Sequence, residues 1–382
     1  MASAGSSPTV ELPQFKGRPG WEFTDISELD LAAYERVVPS VSEGAPTTGA
    51  ALWELSSGAR PDGVIVTSLE QASDKLGSLL SPSDDVFVAL NEAGERSGTF
   101  VYVPRGVTVT EPIALNVLVP AGTVLANERT LIVIEDGAQA EVWEQFLSAE
   151  PDQDAVLNVV TELIVGENAR LRYVCGQDVS ETTWIFGAQR AEVRRDASLD
   201  WVALGFGSKR GRVRMETKLA GEGADARVTG AYATHGRQHI DFDTNQEHAA
   251  PNTTSDLAFR GVLQDRSTAV WKGNIIVDPG AQKTDAFQES RNLLISKRAH
   301  ADAIPGLEIQ ADDVRCTHAA AIAQVDPEQL FYLASHGLPE ATAKRLVIEG
   351  FLAALVERFE EGPVREVLGD ALERRLSAIL SQ

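Results

Sequence analysis

The sequence predicts a mainly β protein whose core is a parallel β-helix with helical segments at both ends, and three observations carry that reading. Between about Asp85 and Arg315 the chain is written in short alternating runs of Val, Ile, Thr and aromatics, as in Thr99-Phe100-Val101-Tyr102-Val103 and Thr130-Leu131-Ile132-Val133-Ile134. Alternation of that composition marks strands. Turn signals of one kind, Asp136-Gly137-Ala138, Glu167-Asn168-Ala169, Arg195-Asp196-Ala197 and Gly223-Ala224-Asp225-Ala226, each precede a strand, at a spacing of roughly 30 residues that signals a repeat. No amphipathic helix separates the strands, which favours a coil of strands over a βαβ sheet. An irregular β-sandwich is the alternative reading of the same pattern. Asp265-Arg266-Ser267 and Asp278-Pro279-Gly280-Ala281 keep the turn chemistry but break the spacing, so the repeat is loose.

Residues 1–84 read as a polar tail and helical region. Gly20-Trp21-Glu22-Phe23-Thr24-Asp25 leads to a short helical pattern with Leu29, Leu31 and Tyr34, for which Asp25 and Glu28 form a capping box. A second short helix is expected after Thr67, carrying Leu69, Leu76, Leu79 and Leu80 and ending before Ser81-Pro82. The β core occupies 85–325. Residues 326–382 read as a helical domain: Asp326-Pro327-Glu328 opens one helix, which Gly337 stops, Pro339 opens a second, ended by Gly362-Pro363, and a third follows. Their apolar stripes predict a small bundle. Helices at the two ends would cover the open strand edges of a β-helix or bind another chain there.

A net charge of -22 argues against phosphate-backbone binding and against an anionic membrane surface, so no nucleic acid and no membrane partner is expected. Ile113 to Leu125, the longest apolar candidate, is broken by Asn116, Pro120 and Gly122. Two cysteines make no disulfide framework and suit a reducing compartment. Met1 to Pro8 has neither the basic nor the apolar region of a signal peptide. A cytoplasmic location follows as the expectation.

Chemistry concentrates in Asp312-Asp313-Val314-Arg315-Cys316-Thr317-His318-Ala319-Ala320. On a strand, Cys316 and His318 point to one face about 6.6 Å apart, close enough to share a metal. A structural tetrahedral site needs four ligands, and this pair offers two. The same spacing also fits a buried cysteine beside a hydrogen-bonded histidine, or a Cys/His nucleophile. Cys175 alternates with Leu171 and Tyr173 and reads as a buried apolar residue. His235, His239 and His248, with Asp241, Asp243 and Glu247, fit either a cupin-like metal cluster or surface and turn hydrogen bonding. Asp241 and Asp243 would serve as the acids of a carbohydrate-active β-helix, the alternative enzyme reading. No phosphate-binding G-x-x-x-x-G-K-[ST] loop is present, and Gly205 to Gly211 reads as a turn.

The run from Asp312 to Ala320, followed by Asp326-Pro327-Glu328-Gln329-Leu330-Phe331-Tyr332-Leu333 and Gly337-Leu338, closely resembles the C-terminal signature of the SufD branch of the SufB/SufD iron–sulfur cluster assembly family. The resemblance extends through His248, Pro251, Thr253 to Leu257, Gly261-Val262-Leu263, Asp265-Arg266-Ser267, Gln282 to Ala286, Leu293 to Ser296 and Pro305 to Ile309, and Gly20 to Asp25 is similar to the family's N-terminal motif. It implies a right-handed parallel β-helix core with an N-terminal helical region and a C-terminal helical domain. It also implies a non-catalytic scaffold subunit that joins a SufB-like paralogue through the C-terminal end of its β-helix and docks a SufC-like ABC ATPase, which hydrolyses the ATP. For the chain alone, a homodimer through the same edge and a monomer both stay open. A transient iron–sulfur cluster would form at the junction, with the family's histidine ligand falling on His318 and the neighbouring junction cysteine on Cys316. SufB-like chains carry cysteines where this chain has Gln288 to Asn292, and a glutamate at the position of His318, which places the resemblance with SufD. The family's complex has been associated with a reduced flavin; no flavin motif stands in this sequence.

Overall fold

A computed structural model describes residues 12–13, 20–46, 51–71, 77–94 and 96–380. Its chain runs through strands β1 (Glu35–Val37), β2 (Ser40–Glu43) and β3 (Ile65–Ser68) to helix α1 (Val86–Ala93). A regular series of strands follows: β4 (Ser97–Val103), β5 (Ile113–Val119), β6 (Val124–Ile134), β7 (Gln139–Ser148), β8 (Ala155–Val165), β9 (Arg170–Asp178), β10 (Trp184–Val193), β11 (Ser198–Gly205), β12 (Arg210–Leu219), β13 (Asp225–Thr234), β14 (His239–His248), β15 (Thr254–Leu263), β16 (Thr268–Val277), β17 (Asp285–Leu294), β18 (His300–Ile309) and β19 (Arg315–Gln324). Helices α2 (Pro327–Ser335), α3 (Glu340–Val356) and α4 (Pro363–Leu380) end it.

Successive strands alternate between two sheets. One sheet is ordered β18-β16-β14-β12-β10-β8-β6-β4-β3, and the other β19-β17-β15-β13-β11-β9-β7-β5-β2. From β4 onward every neighbouring pair is parallel. Two strands therefore make one turn, and the core is a parallel β-solenoid of about eight turns, the coil of strands predicted by the turn spacing. The antiparallel pairs β2–β5 and β3–β4 close its first turn.

The recurring turn signals form one corner of this coil. Gly106, Gly137, Asn168, Asp196, Gly223, Asn252 and Lys283 all have positive φ there, and the N–H of each donates to a carbonyl one turn further on, as in Gly137 N to Glu167 O (2.7 Å) and Asn168 N to Arg195 O (2.9 Å). Gly, Asn and Asp tolerate this left-handed region at least cost. The alanines that follow, Ala138, Ala169, Ala197 and Ala224, are buried because the corner leaves no room for a longer chain. Asp265-Arg266-Ser267 broke the spacing for a physical reason: Asp265, like Gly236, belongs to the opposite corner, between β15 and β16.

Apolar side chains from both sheets fill the interior, from Ile113 and Ile134 at one end to Phe259 and Trp271 towards the other. The outer faces are covered separately. Trp21, Ile26, Leu29, Phe87 and Leu90 pack against Trp184 and Phe186 of the β10 face, while Ile348, Leu352, Leu368 and Leu372 of α3 and α4 share a core with Val202, Leu204, Ala231 and Val262 of the other sheet. The C-terminal helices thus bury their stripes on the solenoid as well as on one another.

Local expectations at the N-terminus need correcting. The pattern around Leu31 is a single 3-10 turn, Leu31–Ala33, capped by Asp30, whose carboxylate accepts from Ala32 N. Asp25 instead accepts from Ser27 N (2.9 Å). After Thr67 the described residues form the 3-10 turn Leu69–Gln71; the middle of the expected helix, with Leu76, lies outside the described residues. The helix of this region is α1, capped by Asp85 through Phe87 N.

Candidate functional site

Among the described residues β18 and β19 end their sheets, each paired on one side only, with β16 and β17. Strand pairing places Cys316 beside Ala286 and His318 beside Gln288. In β17, Ala286, Gln288, Ser290 and Asn292 are buried, and alternate with residues that are not. Neighbours in register share a face, so Cys316, His318, Ala320 and Ile322 continue this inward-facing column at the rim of the last turn. The alternation that put Cys316 and His318 on one face is therefore observed. Their environments differ: Cys316 is half-buried against Ile275, Val277, Ala281 and Ala286, and His318 is exposed.

The Cys316 thiol is held above its ordinary range by burial and, second, by the Asp285 carboxylate. That carboxylate is engaged by Arg315 at 2.7 Å. The pair thus offers an exposed imidazole and a thiol whose surroundings disfavour the thiolate. Cys175, deep in the same interior, is 6% exposed. Burial pushes its thiol up to about 12, which leaves it the inert residue that its apolar pattern predicted.

Just inside the rim lies a polar layer that the sequence reading passed over. Gln288 donates from Nε2 to the carbonyls of Gly273 (3.2 Å) and Gly306 (3.1 Å), and the Tyr232 hydroxyl donates to Asn292 Oδ1. Among the described residues Gln288 Oε1 and the Trp271 indole N–H have no hydrogen-bond partner. The signal was present as Gln288, Ser290 and Asn292 at alternate, inward positions of a strand.

The histidine cluster is not assembled. His239, Asp241 and Asp243 do share the outer face of β14, where His239 Nδ1 meets the Thr268 hydroxyl at 2.7 Å, Thr24 donates to Asp241 at 2.6 Å, and Arg212 pairs with Asp243 at 2.8 Å. His248 lies on the opposite, inward face, between the hydroxyls of Thr253 (2.8 Å) and Ser255 (2.9 Å). His235 sits at a corner, 2.6 Å from Glu181. Burial lowers both His239 and His248 to about 4, and burial raises Asp241 to about 6 against the pull of Arg212. Among the described residues no group of three or more His, Cys, Asp or Glu side chains is placed to hold a metal ion. The cupin-like cluster is corrected on this ground, and the pairing of Asp241 and Asp243 with Thr24 and Arg212 leaves neither as a free acid on a groove.

Five apolar or aromatic residues stand out at this end. Leu307, Ile309 and Ile322 are exposed large apolar side chains on β18 and β19, and Phe331 and Tyr332 of α2 are 76% and 63% exposed. No helix among the described residues is long and apolar enough to cross a membrane.

Comparison with known proteins bears on this geometry. Residues 117–351 match the family model of the SUF system FeS cluster assembly SufBD core domain, and residues 52–115 that of the SufBD protein N-terminal region. The chain is 34% identical to the iron–sulfur cluster assembly protein SufD of Bacillus subtilis, over 84% of this chain and 76% of that one. It is 32% identical to an iron–sulfur cluster assembly SufBD family protein of Mycobacterium tuberculosis, over 93% and 87%. With SufB of Bacillus subtilis it shares 28% over 72% and 59%.

Proposed function

The chain belongs to the SufBD family of iron–sulfur cluster assembly proteins, and from that premise we propose that it is the SufD-like scaffold subunit of an assembly complex. The observation that carries this reading is the uncapped last turn. β18 and β19 present unpaired backbone edges together with exposed Leu307, Ile309 and Ile322. An edge of that kind pairs with another strand unless it is blocked, and β-strand addition is a common mode of association. A SufB-like chain with a matching open end would extend both sheets across the junction.

Cys316 and His318 then face the nascent cluster, which is the cargo of the complex. Thiolate and imidazole are suitable ligands for iron–sulfur species, and the two supplied here leave the remaining positions to the partner. Partial ligation by each chain suits a cluster that must be handed on. The exposed Phe331 and Tyr332 on α2 supply an aromatic surface for a SufC-like ATPase, the subunit to which this reading assigns ATP hydrolysis.

Co-expression with SufB-like and SufC-like chains, followed by anaerobic isolation, tests the proposal. It expects a stable three-component complex carrying iron and sulfide. Failure to co-purify would remove the scaffold reading; a complex whose cluster content is indifferent to His318→Ala would remove the ligand assignment alone.

A further inference from the structure

The polar layer beneath the rim contains a side chain that spans the coil. Gln288 leaves β17 on the inward face, is fully buried, and reaches the opposite sheet, where its Nε2 donates to Gly273 O on β16 (3.2 Å) and to Gly306 O on β18 (3.1 Å). We infer that Gln288 is a positioning residue for His318: by tying the two sheets together at the last turn, it sets where the proposed cluster ligand projects into the junction. The inference rests on the cluster-assembly reading and adds to it a residue that acts through the ligand.

The neighbouring residues are built for this strut. Gln288 stands in register with His318, one strand inside it, so the strut leaves β17 at the level where His318 leaves β19. Gly273 gives the amide its room: a Cβ there would run into the Trp271 ring and into Gln288 Oε1, 2.7 Å away, so glycine is what lets the side chain approach this strand. On β18, Pro305 precedes Gly306 and brings no N–H to the strand. Gln288 thus delivers a donor at the level where the edge strand has one fewer.

The tie matters because the last turn is held from one side. Among the described residues β18 pairs with β16 alone and β19 with β17 alone, and segments with few contacts open locally at lower free energy than the interior does. The next polar residue of the column offers no second tie of this kind: Asn292 accepts from Tyr232 of β13, in its own sheet, and donates to Ser290 (3.4 Å). A ligand shared between two chains works only when it is held to about 0.5 Å. With the strut removed, the two carbonyls lose that donor, and the spacing of the sheets beneath His318 is no longer fixed by a hydrogen bond across the interior.

Two variants test this. Gln288→Met keeps the length of the side chain and removes its donor, and Gln288→Asn keeps the amide on a side chain one methylene too short to span. In the isolated full-length chain, hydrogen exchange of the β19 amides from Cys316 to Ala320 should quicken by about tenfold or more in both variants, with β9 and β11 unchanged. In the complex co-expressed with SufB-like and SufC-like chains, iron and sulfide content should fall by about tenfold or more, the usual cost of losing a residue that orients a metal ligand, while the amount of partner retained stays at the wild-type level. Unchanged β19 exchange overturns the inference, as does wild-type cluster content in a folded Gln288→Asn complex. Faster exchange throughout the coil, with partner and cluster lost together, marks a merely structural glutamine and overturns it as well. A wild-type complex without iron and sulfide overturns the cluster-assembly reading itself, and the inference with it, so the two failures are told apart by the wild-type control.

Discussion

His318 stands beside Gln288 in the register of β17 and β19, the last two strands of their sheet, and that single step takes the inward column from a fully buried side chain to an exposed one. Gln288 is held by two carbonyls, whereas His318 is exposed. Replacing His318 by Ala should therefore leave the isolated chain's stability within about 0.5 kcal/mol of wild type, as for surface positions without special contacts. In the reconstituted complex the cluster yield should fall on the order of tenfold or more, given that even outer-shell partners of metal ligands are worth about that much. Denaturant midpoints and iron and sulfide analysis read the two effects separately. Destabilisation of the chain with unchanged cluster content would reverse the assignment.

The open edge makes a second prediction. Ile322 is 46% exposed at the rim, so Ile322→Lys should cost the folded chain less than about 0.5 kcal/mol. A buried charge at the centre of an association surface, by contrast, costs about 2 kcal/mol or more. Co-purification with a SufB-like partner and gel filtration of the chain alone should both show the weakening. Unchanged association would move the interface elsewhere.

The strand repeat was legible in the sequence because its turns must satisfy backbone conformation residue by residue: Gly137, Asn168, Asp196 and Gly223 are the residue types a left-handed corner tolerates. That two corners alternate was not, since Asp265 and Asp196 carry the same turn chemistry. The surface that α3 and α4 cover was also hidden, because an amphipathic stripe shows that an apolar face exists without naming what covers it. At the site, alternation correctly put Cys316 and His318 on one face. The same rule, applied to His239 and His248, would have divided them, because their odd separation turns them to opposite faces of β14. That the last turn is uncapped depends on where the helices pack, which no local pattern records.

Among the described residues of the corner that holds Gly137 and Asn168, Lys283, at φ 64, is the one without a side chain suited to positive φ. Lys283→Gly removes a left-handed clash of about 1–2 kcal/mol and adds about 0.5–1 kcal/mol of backbone entropy cost, so it should leave stability equal or slightly raised. The exposed ion pair with Asp313 that it also removes is worth little. Gly137→Val, at φ 68, should instead lose at least about 1–2 kcal/mol. Urea midpoints of the two variants should move in opposite directions or differ by that amount; equal losses would mean that the corner is not governed by φ.

Glu128 and Glu144 are buried together in the interior, both within reach of the Thr130 hydroxyl, with Tyr173 donating to Glu144. Burial raises Glu128, and the neighbouring Glu144 raises it further; burial raises Glu144 against the pull of Thr130 and Tyr173. Raised carboxyls bind protons more tightly in the folded state, so their contribution is most favourable below the ordinary glutamate range and is lost as pH rises. Glu128→Gln should accordingly gain stability relative to wild type between pH 5 and 8 (about the working range,), with the gain growing as pH rises. Thermal melts across that range would show it, and a gain that shrinks with pH would contradict the buried pair.

His248 makes the opposite pH prediction. Its two nitrogens meet Thr253 and Ser255, it is fully buried, and burial alone lowers it from 6.5 to about 4. A base depressed in the folded state binds fewer protons there than when unfolded, so its stabilising contribution is complete above about 6.5 and is lost as pH falls through that window towards about 4. The loss amounts to at most roughly 3 kcal/mol at 1.36 kcal/mol per unit. In His248→Gln the neutral amide keeps hydrogen-bonding capacity without titrating, so the stability difference from wild type should shift towards the variant by up to that amount between pH 7 and pH 4 (about the window set by burial,). His239, lowered to about 4 chiefly by burial, adds its own acid sensitivity, and Asp241, raised to about 6, opposes it; both are common to the two proteins and cancel in the difference. Chemical denaturation at a series of pH values measures this directly, and a difference independent of pH would show that His248 is not held neutral by the fold.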